Sequence, residues 1–185
     1  QAVLGGFTVL TQLNPWFVGA HFVLSGYMIA VATVLVFRAL PPAHVAASQA
    51  LWRTATPIAA VGAITVLVGV LVTGAGPHSG DAESVRNGLD LEIWQHYHSY
   101  PGYVMLGLLI IQLIAQWQIS RKVWQDLATR ILLLTVLFAL WQAAVGILQA
   151  RTGVPALLVG IHMFGAASLS ALVTFQVLSA RKINR

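Results

Sequence analysis

Long apolar stretches separated by short polar segments make up most of this chain. Five of them approach the ~20 residues that an α-helix needs to cross a bilayer. They run over Trp16 to Phe37, Thr54 to Thr73, Ile93 to Trp117, Leu127 to Gln149 and Pro155 to Ala180. A shorter apolar segment, Gln1 to Leu10, looks like the end of another span. The pattern predicts an all-α fold, a polytopic membrane helix bundle.

Composition agrees with a membrane protein and limits the chemistry. Hydrophobic residues make up 58% of the chain and charged residues 8%, and the mean hydropathy is +0.80, unlike a soluble domain. Cysteine is absent, which excludes disulfides, thiolate nucleophiles and thiolate metal sites in this sequence. Metal chemistry would have to use histidine, carboxylate or methionine.

The basic residues predict the orientation. Of the ten lysine and arginine residues, only Arg86 and Arg151 fall on one side of the predicted spans. The other eight fall on the opposite side, which the positive-inside rule makes cytoplasmic, with the C-terminus inside. They are Arg38, Arg53, Arg121, Lys122, Arg130, Arg181, Lys182 and Arg185. The net charge of +5 is therefore a topology signal, and no nucleic-acid partner is expected.

A segment of 26 residues occurs twice, as residues 1–26 and 142–167. Seven positions are identical without gaps, where composition alone would give roughly two. The identities are Gln1/Gln142, Ala2/Ala143, Gly5/Gly146, Thr11/Thr152, Val18/Val159, Gly19/Gly160 and His21/His162. A repeat that keeps a histidine at one depth in two membrane helices points to paired cofactor sites.

The repeat also predicts the domain organisation. Two spans precede the second copy, so two more, in about 90 residues, are expected before Gln1, giving two pseudo-symmetric four-helix halves. Residues 1–40 would be the C-terminal part of the first half, 41–53 a cytoplasmic linker, and 54–185 the second half. The alternative is a natural six-span protein with a short first helix.

Three histidines lie at one predicted depth. His21 and His162 follow Pro15 and Pro155 by six and seven residues, which places them ~9 to 10 Å below the outer helix ends. His98 lies at nearly the same depth and can meet His162 across the bundle. His96 is two positions earlier, about 200° around the helix, so we expect it to be an interfacial or supporting residue.

Two opposed imidazoles at that depth match the axial ligation of a heme iron. His98 and His162 would form one such pair. His21 would pair with a histidine about 44 residues upstream of Gln1, by the repeat. Two alternatives stay open: buried histidines that hydrogen-bond between helices, and a zinc site, which needs three or four converging ligands.

The outer loop TGAGPHSGD, residues 73–81, is either a flexible connector or a cap over the heme edge with His78 near it. Arg86 and Arg151 are the only outer bases that can pair with the heme carboxylates. Pro101, three residues after His98, should kink its helix or mark the helix start.

Three motifs occur in family order over essentially the whole chain: LNPWFVGAHFVLS, TGAGPHSGD followed by EIWQHYH, and VPALLVGIHMFG. Together they resemble the heme A synthase family, and its actinobacterial members most. This family of membrane enzymes converts heme O to heme A. The resemblance places the chain in a bacterial cell membrane, with the heme sites near the outer face.

The resemblance implies roles for the histidines. His98 and His162 would bind heme b, and His21 would be one ligand of the substrate, heme O. A porphyrin methyl would be hydroxylated twice and lose water to give a formyl group, with a catalytic glutamate upstream of Gln1. Implied partners are heme O synthase as the source of heme O, an electron donor, the lipid bilayer, further copies of the chain and terminal-oxidase assembly proteins.

The chain departs from the family pattern in two places. Some members have cysteine pairs in the outer loops, which are missing here, and Ser99, Tyr100 and Pro101 after His98 are unlike the expected residues. Two other functions remain alternatives. One is a bis-histidine heme b electron carrier or respiratory-complex subunit without catalysis, and the other is a transporter without heme.

Overall fold

A computed structural model describes residues 1–39, 49–79, 83–119 and 127–180. Within these ranges it is all-helical. The helices are α1 (Ala2–Leu10), α2 (Pro15–Ala39), α3 (Gln49–Ala75), α4 (Leu91–Ile119), α5 (Leu127–Arg151) and α6 (Ala156–Ala180). In these ranges five helices, α2 to α6, are long and apolar enough to cross a membrane. The five predicted spans are thereby confirmed as helices, and each end agrees within two residues.

Several sequence predictions fall on residues outside the described ranges. They concern most of the predicted linker 41–53, Gly80 and Asp81 of the outer loop, and the topology residues Arg121, Lys122, Arg181, Lys182 and Arg185. The assignment of a cytoplasmic side, which rests on these basic residues, stays a prediction.

Four of the helices form a closed ring. α3 packs on α4, α4 on α5, α5 on α6, and α6 again on α3, so α4 and α6 face each other across a diagonal. The apolar core contains the fully buried side chains of Ile58, Leu109 and Leu132. Met105, also in this core, lies seven residues after His98, so the core packs about two helical turns below that histidine.

The first two helices lie outside this ring. α2 packs against α3 and α6, and α1 packs against α2. Phe37 of α2 and Phe175 of α6 meet edge to face, with ring centroids 5.2 Å apart. α1 is covered by α2 on one side only. On its other side Val9 and Leu10 keep 71% and 80% of their surface exposed. Exposed apolar side chains on these helices suit a lipid environment.

Both prolines that lie inside helices leave those helices continuous. Pro57 is within α3 and Pro101 within α4. Because α4 begins at Leu91, ten residues before Pro101, the prediction that Pro101 marks the start of the helix is wrong. Its effect is instead local, because proline has no N–H to donate to the carbonyl of Tyr97.

The two copies of the repeat share their turn structure. In each, two consecutive residues have positive φ: Gln12 and Leu13 before α2, and Gly153 and Val154 before α6. Equivalent hydrogen bonds close both turns and cap the preceding helices. They are Leu13 N to Thr8 O (2.8 Å), Val154 N to Gln149 O (2.9 Å), Thr11 Oγ1 to Phe7 O (2.7 Å) and Thr152 Oγ1 to Leu148 O (2.8 Å). The two four-helix halves stay a prediction.

Candidate functional site

The fold brings His98 and His162 together. They lie on the diagonal helices α4 and α6, each within the first two turns after the helix start. Their ring centroids are 6.1 Å apart and the ring planes are 76° from parallel. The two helices do not have to touch for this contact, because the side chains meet inside the ring of helices. The fold thus contains the predicted contact between His98 and His162 across the bundle.

The spacing of the two rings suits one metal ion between them. A metal–imidazole bond of about 2.0 Å, plus about 1.1 Å from the nitrogen to the ring centre, separates the centres of opposed ligands by about 6.2 Å. The 6.1 Å between His98 and His162 is close to this value. The two rings, which meet edge to face, are therefore separated by the distance expected for two imidazoles on one metal ion.

A backbone contact orients the His98 imidazole and leaves one of its nitrogens unprotonated. Its Nδ1 lies 3.0 Å from the carbonyl oxygen of Thr65 on α3. A carbonyl oxygen only accepts hydrogen bonds, so Nδ1 carries the proton in this contact, and Nε2 keeps the lone pair that a metal needs. Ligand histidines are commonly oriented in this way through their second nitrogen.

Glycines on neighbouring helices make room for both rings. A Cβ built on Gly69 of α3 would lie 2.8 Å from Cε1 of His98, and one built on Gly146 of α5 would lie 2.9 Å from Cε1 of His162. Each ring therefore occupies the space of a missing side chain. Sequence analysis did not give these glycines a role, although Gly146 is one of the repeat identities.

His21 is held by α1 much as His162 is held by α5. A Cβ built on Gly5 would lie 3.3 Å from Cε1 of His21. The Nδ1 atoms of both His21 and His162 are buried and have no hydrogen-bond partner among the described residues. His21 lies on α2, outside the ring of four helices, and so belongs to a location separate from the His98 and His162 pair.

The donor set distinguishes between the metals considered. Among the residues that the structure describes, no three histidine, cysteine, aspartate or glutamate side chains converge. Zinc needs three or four such ligands, so nothing in these ranges supports a zinc site. Heme needs only two protein ligands because the macrocycle supplies the other donors, and His98 and His162 provide that number.

The remaining predicted site residues lie in or near the outer loops. His78 and Arg151 are exposed, and so is His96, whose Nδ1 lies 2.7 Å from the carbonyl oxygen of Glu92. Arg86 is bonded to its own loop. It donates to Ser79 Oγ (2.7 Å), the Ser84 carbonyl (3.0 Å) and the Pro77 carbonyl (2.9 Å). A role for Arg86 or Arg151 in binding heme carboxylates stays a prediction.

Asn87 is an organising residue that sequence analysis missed. Its Nδ2 donates to the carbonyl of Leu71 at 2.8 Å, and its backbone N–H donates to the carbonyl of Gly74 at 3.0 Å. Its Oδ1 accepts from the backbone N–H of Leu89 at 3.0 Å. Asn87 thus satisfies backbone groups at the end of α3 and fixes the loop that enters α4.

Replacing Asn87 by alanine should destabilise the protein by about 1 kcal/mol, because partly buried backbone groups would lose their side-chain partner. The measurement is the free energy of unfolding in a detergent titration. Asn87→Asp keeps the acceptor for Leu89 and loses the donor, so it should fall between the wild type and Asn87→Ala. An alanine variant as stable as the wild type would contradict the capping role.

No protein family, curated protein or solved structure matches the chain. The fold defines a coarse class, a helical protein with five helices in the described ranges that can cross a membrane. Within that class, the contact between the His98 and His162 rings is the feature with the most specific chemistry.

Proposed function

We propose that this protein is a heme-binding membrane oxidoreductase that converts heme O to heme A. In this proposal His98 and His162 would hold heme b. One observation carries it: the two rings meet edge to face inside the bundle, with their centroids 6.1 Å apart. The resemblance of the three sequence motifs to heme A synthases supports the choice of reaction within the class of heme proteins.

The residues around the pair would do three things. Thr65 orients the His98 imidazole through its carbonyl oxygen and keeps Nε2 available. Gly69 and Gly146 leave space for the two rings, and the apolar helices around them keep the site in a low-dielectric environment. Heme b, when bound, supplies one-electron redox chemistry.

His21 would hold the substrate, heme O. Its ring lies against Gly5 as the His162 ring lies against Gly146, and this likeness supports a ligand role for both. The substrate methyl would be hydroxylated twice and lose water to give the formyl group of heme A, a four-electron oxidation whose electrons an external oxidant would accept.

A second candidate function is a bis-histidine heme b electron carrier. The observation that favours it is that His98 and His162 form a complete pair within the described residues, which would bind heme without any contribution from the His21 site. The two functions differ in whether heme O is consumed.

The full-length protein should convert heme O when it is produced with a heme O synthase in a host that makes no heme A. Chromatography of the extracted hemes should then show heme A, because the His21 site binds and oxidises the substrate. His21→Ala should lose heme A and keep the heme b spectrum, since His98 and His162 are untouched.

Two outcomes would redirect the assignment. Heme O left unconverted by a protein that binds heme b would support the electron carrier. Purified protein without a Soret band would exclude both heme functions and favour the transporter.

A further inference from the structure

Gln142 makes an unusual contact with the helix turn that carries His162. Its Nε2 donates to the main-chain carbonyl of His162 at 2.8 Å. Its Oε1 lies against Gly165, where a Cβ would overlap it. Gln142 precedes Gly146 by four residues on α5, so both lie on the face of α5 that meets α6. The amide and the imidazole therefore cross the same interface at neighbouring levels.

The Gln142 bond and the Gly146 contact hold the helical turn at His162 from its two ends. Helical side chains lean towards the N-terminus of their own helix, so the His162 ring leans towards the α5–α6 turn, where Gly146 lies. Gln142 bonds to the backbone of His162 from the opposite side, further from the α5–α6 connection. A slip of one residue would move His162 by about 1.5 Å along α6 and rotate it by about 100°, which would break both contacts.

The first copy of the repeat has the same arrangement. The Gln1 Nε2 donates to the carbonyl of His21 at 3.4 Å, and Gly5 faces the His21 ring. Gln1 also donates to the hydroxyl of Ser25. Glutamine, glycine and histidine are all identical between the copies, so the same three-residue contact occurs in two separate helix pairs.

Another buried glutamine contact in the bundle shows what an ordinary interhelical bond looks like here. Gln176 Nε2 donates to Gln112 Oε1 at 2.6 Å, side chain to side chain. Such bonds join membrane helices without involving a site. Gln142 instead donates to the main chain of the histidine itself, so its bond fixes the position from which that imidazole extends.

We propose that Gln142 is a positioning residue for the His162 imidazole, and that Gln1 is its counterpart for His21. The amide sets the register and rotation of the histidine turn, and the glycine one turn further on receives the ring. The heme measurements that test this inference rest on the proposed function. The clamp, by which we mean the contacts of Gln142 and Gly146 with the His162 turn, is a property of the helix pair alone.

Gln142→Met in the full-length protein removes the donor and keeps the volume of the side chain. Heme b titrated into the purified protein should bind about 10-fold more weakly, the usual effect of losing a residue that orients a ligand. The electron paramagnetic resonance g values of the bound heme should shift as the ring moves. In heme-free protein, residues 160–167 should exchange amide hydrogen faster.

Gln112→Met is the matched control, because it breaks an interhelical glutamine contact that does not involve a histidine. It should leave the g values, the heme affinity and the exchange of residues 160–167 unchanged. If Gln142→Met does not fold, Gln142→Asn serves instead, since it keeps the amide and loses one methylene of reach.

The outcomes separate the proposals. Unchanged exchange at residues 160–167 in the Gln142 variant would overturn the clamp. Faster exchange with unaltered g values and affinity would show that Gln142 only joins helices, which overturns its positioning role. A wild-type protein that binds no heme overturns the proposed function and the positioning of a heme ligand together, while the exchange comparison still decides whether the clamp exists.

Discussion

Replacing His162 by alanine is expected to abolish the low-spin, bis-histidine heme spectrum of the full-length protein. The His98 and His162 rings are 6.1 Å apart, and each would supply one axial nitrogen. Without one ring the iron would keep a single protein ligand and change to a high-spin or water-ligated form. Visible and electron paramagnetic resonance spectra of the purified protein measure this change, and His98→Ala should have the same effect.

Free imidazole and a neighbouring histidine provide the controls. Imidazole added to His162→Ala should restore part of the low-spin signal, because the space of the lost ring remains next to Gly146. His96→Ala should leave the spectrum unchanged, since His96 is exposed and its ring bonds to the Glu92 carbonyl. A low-spin spectrum that persists in His162→Ala would rule out this residue as a ligand.

Gly69→Ala is expected to displace His98 and to cause most of the heme b to be lost. The added methyl would lie 2.8 Å from Cε1 of His98, closer than two carbon atoms can pack. Either the ring or helix α3 has to move, at a cost of about 1 to 3 kcal/mol for an overpacked site. Moving α3 also disturbs the bond between Thr65 and His98. The measurement is heme content per protein after purification, with the thermal stability of the heme-free protein beside it.

Gly107→Ala provides the matched control on α4. A Cβ built on Gly107 meets nothing within 4 Å, so this variant should keep its heme content and gain slightly in helix propensity. If both variants retain heme to the same extent, the close approach of Gly69 does not control the site.

The spans could be read from the sequence because the bilayer imposes their length and apolarity. A segment in lipid has to satisfy its backbone hydrogen bonds internally, which forces a helix of about 20 apolar residues. The depth of His21, His98 and His162 followed by counting from the helix starts. His96 could be set aside in the same way, because two positions along a helix turn a side chain to another face.

The groups that hold the histidine rings could not be read in this way. Thr65 and Gly69 lie on a different helix from His98, and the sequence does not say which helices are neighbours. Glycine is common in membrane helices, so Gly69 carries no signal of its own. The repeat marked Gln142 and Gly146 as identities, but their contacts exist only once α5 is packed against α6.

The sequence by itself determined five helices apolar enough to cross a membrane and three histidines six or seven residues after the starts of their helices, since these features depend on hydrophobicity and helical rise along a single segment. Only the tertiary structure decided that α4 and α6 lie across a diagonal, that His98 and His162 meet there, and that glycines on α3 and α5 receive their rings. Those facts depend on the packing of helices against one another, where small residues and single hydrogen bonds set the distances.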